Sequence, residues 1–80
     1  MTEFQKRIIE YLKGCPNRMD SRWGIAQGAF PEKWRKRAGR AAIIGHIDRA
    51  ARKAGLVRFI PSSQINQPCV DAIIALKDDQ

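Results

Sequence analysis

Ile47-Asp-Arg-Ala-Ala-Arg-Lys-Ala-Gly-Leu-Val-Arg-Phe59 is the stretch on which the fold turns. Its first eight residues keep helical spacing, with Ile47, Ala50, Ala51 and Ala54 on one face and Arg49, Arg52 and Lys53 on the other. Gly55 then supplies a C′ cap, the position where helices end on a residue free to adopt positive φ. Immediately afterwards Leu56-Val-Arg-Phe-Ile60 is β-branched and aromatic, which is strand composition. A helix that stops on glycine and passes directly into a strand places the chain in the α+β class.

Upstream, the same helix extends back to Ala38 and spans about 25 Å over residues 38 to 54 at the standard rise. Ile43 joins the apolar face and Ile44 lies at its edge. The opposite face gathers Ala38, Ala42 and Gly45 in its first half and Arg49, Arg52 and Lys53 in its second, with Ala41 and His46 at the margins. Before it comes a basic linker, Glu32-Lys-Trp-Arg-Lys-Arg37. Asp20 or Ser21 caps a shorter second helix, in which Trp23, Ala26 and Phe30 form the expected buried stripe and Pro31 enforces the stop. Gly24 and Gly28 make that helix intrinsically weak. At the start of the chain Thr2 and Gln5 fit a capping box, with Glu3 in the first turn. Phe4, Ile8, Tyr11, Leu12 and Cys15 then make one apolar face of a first helix that Gly14 and Pro16 end. A short polar loop is expected between the first and second helices.

Downstream, Cys69-Val-Asp-Ala-Ile-Ile-Ala-Leu76 is a second strand candidate, although a short helix over 70 to 76 also fits. Pro61-Ser-Ser-Gln-Ile-Asn-Gln-Pro68 lies between the two candidates as a loop joining an antiparallel pair. Lys77 to Gln80 forms a frayed tail, so one domain over 1–77 and a disordered acidic tail over 78–80 are expected.

Eighty residues hold one small core and leave little room for a second. With 44% apolar and 29% charged residues, the composition is that of a globular chain and excludes disorder throughout. Fifteen Lys and Arg against eight Asp and Glu give +7, which points to a polyanionic partner. The excess is localised. Residues 33 to 58 carry nine basic side chains and only Asp48 as an acid, for +8, while the rest of the chain sums to −1. No run of about 18 apolar residues exists to span a bilayer and no hydrophobic leader is visible, so no membrane association and a cytoplasmic location are expected.

Three helices followed by a hairpin, with the longest helix third, resembles a winged helix-turn-helix domain. The segment Ile47 to Phe59 is similar to the end of a recognition helix running through Lys-Ala-Gly-Leu-Val into the first wing strand, and Thr2 to Leu12 is similar to a first helix. The resemblance covers residues 2 to 76. It implies a three-helix helix-turn-helix core followed by a two-stranded antiparallel wing, with residues 38 to 53 in the major groove and 61 to 68 at the wing tip. Two features depart from the pattern: the connection from Glu32 to Arg37 is long and basic, and the wing tip has no Lys or Arg.

The nucleic-acid-binding candidates follow from charge and from this resemblance. Lys33, Arg35, Lys36 and Arg37 suit flanking phosphates. Arg49 and Arg52 reach either phosphate or the O6 and N7 edge of guanine, beside Lys53. Arg40 opens the helix near its apolar face, where an intramolecular ion pair competes for it, and Arg52 has Asp48 at i−4. Ala42, Gly45 and His46 complete the helix face. Arg58, Ser62 and Ser63 are the wing contacts, with Gln64 and Asn66 also available. Trp23 and Phe30 are expected in the core; Trp34 either anchors the linker or contacts a ligand.

The one histidine and two widely separated cysteines, Cys15 and Cys69, offer no metal-ligand spacing, so no metal and no cofactor are expected and both cysteines are expected as free thiols. No phosphate loop or nucleophile and base arrangement is present, and no enzymatic activity is expected. The sequence thus implies a small double-stranded DNA-binding protein, a regulator acting by site occupancy as a monomer or homodimer and of a size that suits a phage or plasmid gene. The alternative is an interaction module whose basic face docks on an acidic protein partner. Structured RNA is the third possibility.

Overall fold

The computed structural model describes residues 1–64, 66 and 71–77. Among them run four α-helices, α1 (Glu3–Lys13), α2 (Arg22–Ala29), α3 (Pro31–Trp34) and α4 (Arg40–Lys53), and three strands, β1 (Met19–Ser21), β2 (Val57–Phe59) and β3 (Ile73–Ala75). Their order along the chain is α1-β1-α2-α3-α4-β2-β3. The fold is α+β, with a three-stranded antiparallel sheet where two strands were expected.

The start of α1 carries the capping box that its sequence encodes. Thr2 Oγ1 accepts the Gln5 N–H at 3.2 Å, and Gln5 Oε1 accepts the Thr2 N–H at 2.9 Å. Gly14 caps the far end. Beyond Pro16, Asn17 and Arg18 both take left-handed backbone angles, with φ of 58° and 55°. Two such residues in succession reverse the chain, so residues 19 to 21 run as a strand and not as the expected loop. The Arg18 carbonyl accepts the Leu76 N–H at 3.0 Å, continuing the ladder by one bond.

The last strand lies in the middle of the sheet. β3 pairs with β1 through Met19↔Ala75, Asp20↔Ile74 and Ser21↔Ile73, and with β2 through Val57↔Ala75, Arg58↔Ile74 and Phe59↔Ile73. Residues 73 to 75 are therefore strand and not helix, as two ladders of backbone bonds require. Its central residue, Ile74, is completely buried.

Ser21 Oγ accepts the Gly24 N–H at 3.0 Å and caps α2. The buried stripe of this helix is Ile25, Ala26 and Ala29, continued by Phe30, whereas Trp23 is 52% exposed and lies outside the core. Phe30 serves two helices at once, as C-cap of α2 and N-cap of α3. Pro31 therefore both stops one helix and begins the next at the N1 position, where its missing N–H costs nothing. The basic linker is thus a helical turn, α3, followed by a 3₁₀ turn over Arg37–Gly39. For that reason α4 starts at Arg40 and not at Ala38.

At the end of α4 the Gly55 N–H donates to the Arg52 carbonyl at 3.1 Å, and the Leu56 N–H donates to that of Ala51 at 3.0 Å. This pair of bonds is a Schellman motif, with Gly55 at φ 75° and Leu56 buried. Ile43, Ile47 and Ala51 of α4 pack with Ile8, Leu12, Ile25, Phe30 and Ile74 into one core.

Beside that core, α1, β1 and α2 meet along a polar seam. The Tyr11 hydroxyl donates to Asp20 Oδ2 at 2.6 Å, and Asp20 Oδ1 accepts the Ser21 N–H at 2.8 Å. The hydrogen bond to Asp20, with burial second, pushes the Tyr11 phenol well above its ordinary value of 10.0. The two glycines of α2 admit this arrangement. A Cβ at Gly28 would stand 2.7 Å from Tyr11 Cζ, and one at Gly24 would collide with the Asp20 carboxylate.

Cys15 is a half-buried thiol whose Sγ donates to the Tyr11 carbonyl at 3.4 Å. Cys69, the wing-tip positions 65, 67 and 68, and the tail 78–80 lie outside the described residues. Among the described residues no helix is long and apolar enough to cross a membrane.

Candidate nucleic-acid interface

The basic run leaves the core through a braced corner. Trp34, at the end of α3, lies edge-on to Trp23 with ring centroids 5.2 Å apart, and the Arg40 guanidinium covers its ring at 4.6 Å. Arg40 Nε also donates to the Trp34 carbonyl at 2.8 Å. Both contacts hold the first residue of α4 against the last residue of α3, and they account for Trp34 and Arg40 as structural partners. On the other side of the corner, Arg7 of α1 donates to the Ala29 carbonyl, bonds Glu32 at 2.9 Å and stacks 4.5 Å over the Phe30 ring. The hydrogen bond from Arg7 holds the Glu32 carboxyl below its ordinary range.

Lys33, Arg35, Lys36 and Arg37 project from this corner, all exposed. On α4 the exposed face consists of Ala41, Ala42, His46, Arg49, Arg52 and Lys53, with Gly45 half-buried among them. The two groups adjoin: Lys33, Lys36, Gly39, Ala42 and His46 line one shallow cleft between α3 and α4. His46 also meets Phe4 edge-on at 6.3 Å, so one side of its ring is used internally. Gly39 caps α4 without a side chain, and a Cβ there would meet nothing within 4 Å.

Among the described residues no ion pair involves Lys33, Arg35, Lys36, Arg37, Arg49, Arg52 or Lys53. Among the described residues, then, seven exposed cations of the corner and of α4 stand outside any ion pair, with Glu32 the acid beside Lys33 in the shared cleft. Arg58 differs. Its Nε bonds Asp48 at 2.8 Å, tying β2 to α4 and occupying the acid otherwise available to Arg52. Ser62 and Ser63 are exposed in a 3₁₀ turn, Ser62–Gln64, after β2.

The sequence gives little warning of Trp23 on this side of the molecule. Its spacing to Ala26 and Phe30 imitates a core stripe, and only the glycines at 24 and 28 hint that another face of α2 is closed by side chains, Asp20 and Tyr11, packed onto its backbone. Asp71 was also outside the sequence reading: it bonds Arg22 Nε and the Trp23 N–H, each at 3.0 Å, and so fixes the start of α2. Among the described residues no group of three or more His, Cys, Asp or Glu is placed to hold a metal ion. Comparison with known proteins found no matching family, no matching curated protein and no matching solved structure.

Proposed function

We propose that this chain is a small winged-helix protein that binds double-stranded DNA through α4 and the basic corner before it, and that it regulates by occupying a site and not by catalysis. The observation that carries this reading is a set of seven exposed cations, Lys33, Arg35, Lys36 and Arg37 at the corner and Arg49, Arg52 and Lys53 on α4 beside Ala41, Ala42 and Gly45, none in an ion pair among the described residues. Cations without internal partners carry no desolvation cost of breaking old pairs, and small residues let the α4 backbone approach closely. Support for the winged-helix assignment comes from the order helix, strand, helix, helix, strand, strand and from β1 closing the sheet on β3. In this reading α3 is an extra turn inserted before the recognition helix. The absence of Lys and Arg at 61 to 64, and the use of Arg58 by Asp48, leave the hairpin a minor contributor to phosphate binding.

The test is binding to random duplex across a salt series, followed by enrichment of bound sequences from the same pool. Seven phosphate contacts would give a log–log salt slope of about −6. A recurrent motif is expected, and Arg49→Ala should cost ~1–3 kcal/mol on that motif while relaxing preference at one position. Weak binding at low salt without a motif overturns the reading and transfers the basic face to an acidic protein partner.

A further inference from the structure

Trp23 is a large aromatic side chain that the fold leaves half in solvent, and it is not loose. Its backbone N–H is held by Asp71 at 3.0 Å, its residue is the second of a helix capped by Ser21, and its ring rests edge-on against Trp34. Trp34 is in turn fixed by Arg40 from the other side. The only hydrogen bond of Trp23 outside the helix ladder among the described residues is that of its backbone N–H, which leaves the indole N–H without a partner there. The chain continues from Trp34 directly into Arg35, Lys36 and Arg37, so a single ring contact links Trp23 to the residue that begins this run of cations.

A rigid, half-exposed indole beside such a row has two properties that suit a sugar-phosphate backbone. Its N–H donates to an anionic oxygen, and its apolar body covers the deoxyribose next to it. Stacking on bases is excluded in an intact duplex, where the bases are already stacked on one another. We propose that Trp23 is a duplex-contacting residue that donates its indole N–H to a phosphate oxygen flanking those held by Lys33 to Arg37. This inference rests on the reading of the basic face as a DNA surface, and extends that surface from α4 and the linker to the start of α2. The contact adds affinity without sequence information and without charge, and the edge-on packing against Trp34 reduces the side-chain freedom left to lose when it forms.

The experiment follows a labelled duplex by anisotropy while recording tryptophan emission of the full-length protein and of Trp23→Phe. Subtracting the second signal from the first isolates Trp23. The expected result is a Trp23 emission change that saturates along the anisotropy isotherm. Trp23→Ala should weaken binding by about tenfold on every sequence alike, the equivalent of one hydrogen bond to a charged group. Its salt slope should stay that of the parent, because no cation is lost. Trp23→Phe, which keeps the ring and loses only the donor, should fall between the two, and circular dichroism of both variants checks that α2 is intact. Duplex binding with an unchanged Trp23 signal and parental affinity for Trp23→Ala overturns this inference and leaves the proposed function standing. Failure of the parent protein to bind any duplex overturns both.

Discussion

The seam between α1, β1 and α2 and the outer face of α4 are built on opposite principles. In the seam each polar atom has a partner: Tyr11 on Asp20, Asp20 on Ser21, Ser21 on Gly24, with glycines removing every atom that would intrude. On the α4 face and the corner before it, seven cations stand without ion pairs among the described residues. A fully satisfied region is informative about stability and nearly silent about ligands. A face of exposed, water-solvated charge contributes little to folding, and under the proposed function its cations are available to phosphates.

The contrast breaks most completely if the corner is stripped of charge. Replacing Lys33, Arg35, Lys36 and Arg37 together by alanine should weaken duplex binding by about a hundredfold or more and reduce the salt slope by about four. The same variant should keep the parental melting temperature, since exposed side chains are removed without disturbing packing. Loss of stability instead would assign the corner to the scaffold.

A smaller effect, in the other region, is expected from Gly28→Ala. Alanine is better than glycine in a helix by about 1 kcal/mol, but its methyl would meet the Tyr11 ring, and overpacking of this kind costs ~1–3 kcal/mol. We expect a net loss of ~1–2 kcal/mol in denaturant titration, with duplex affinity of the folded fraction unchanged. A stabilised Gly28→Ala would mean that the seam yields and is not close-packed.

Tyr11→Phe sharpens the comparison through pH. Because the folded protein raises the Tyr11 phenol above its unfolded value, the contribution is full below pH 10 and is lost as pH rises from there through the higher folded value. Removing the hydroxyl should cost ~1–2 kcal/mol at neutral pH, the worth of a hydrogen bond to a charged acceptor. Tyr11 is the chain's single tyrosine, so phenolate absorbance reports it alone. Its midpoint should stand above 10 in the native protein and return to its ordinary value in denaturant.

The smallest effect belongs to Glu32. Its folded value is lowered by Arg7, so its contribution is present above the ordinary carboxylate range and disappears as pH falls through the lowered value. The pair is open to water, and Glu32→Gln should leave the neutral-pH melting temperature nearly unchanged while flattening the acid side of the stability curve. A large drop at neutral pH would show that the corner depends on this pair and not on Trp34 and Arg40.

Local signals in the sequence were legible where one residue decides the backbone. Thr2 with Gln5 and Gly55 each mark a helix end and do so in the structure, and of Asp20 and Ser21, both offered as caps of the second helix, Ser21 is the one used. The apolar face of α4 followed from its period alone. β1 was not legible, because three residues carry no alternation and exist as a strand only through pairing with residues more than fifty positions away. α3 was hidden by Pro31, which terminates one helix and begins another with the same residue. Trp23 was misassigned because its spacing to Ala26 and Phe30 fits a buried stripe as well as Ile25, Ala26 and Ala29 do. Which of nine clustered cations are spent internally was also beyond the sequence: Arg40 on Trp34 and Arg58 on Asp48 are choices made by tertiary contact.

The position of β3 between β1 and β2 has a consequence for how the protein comes into being. The sheet can close only when residues 73 to 75 have been made and have slotted between two strands that do not touch each other. During synthesis α1 to α4 emerge first, and Ile8, Ile25 and Ile47 then lack the cover that Ile74 supplies in the finished core. A nascent chain arrested before Ile73 would expose its apolar interior, whereas release of a few more residues would commit the whole domain at once.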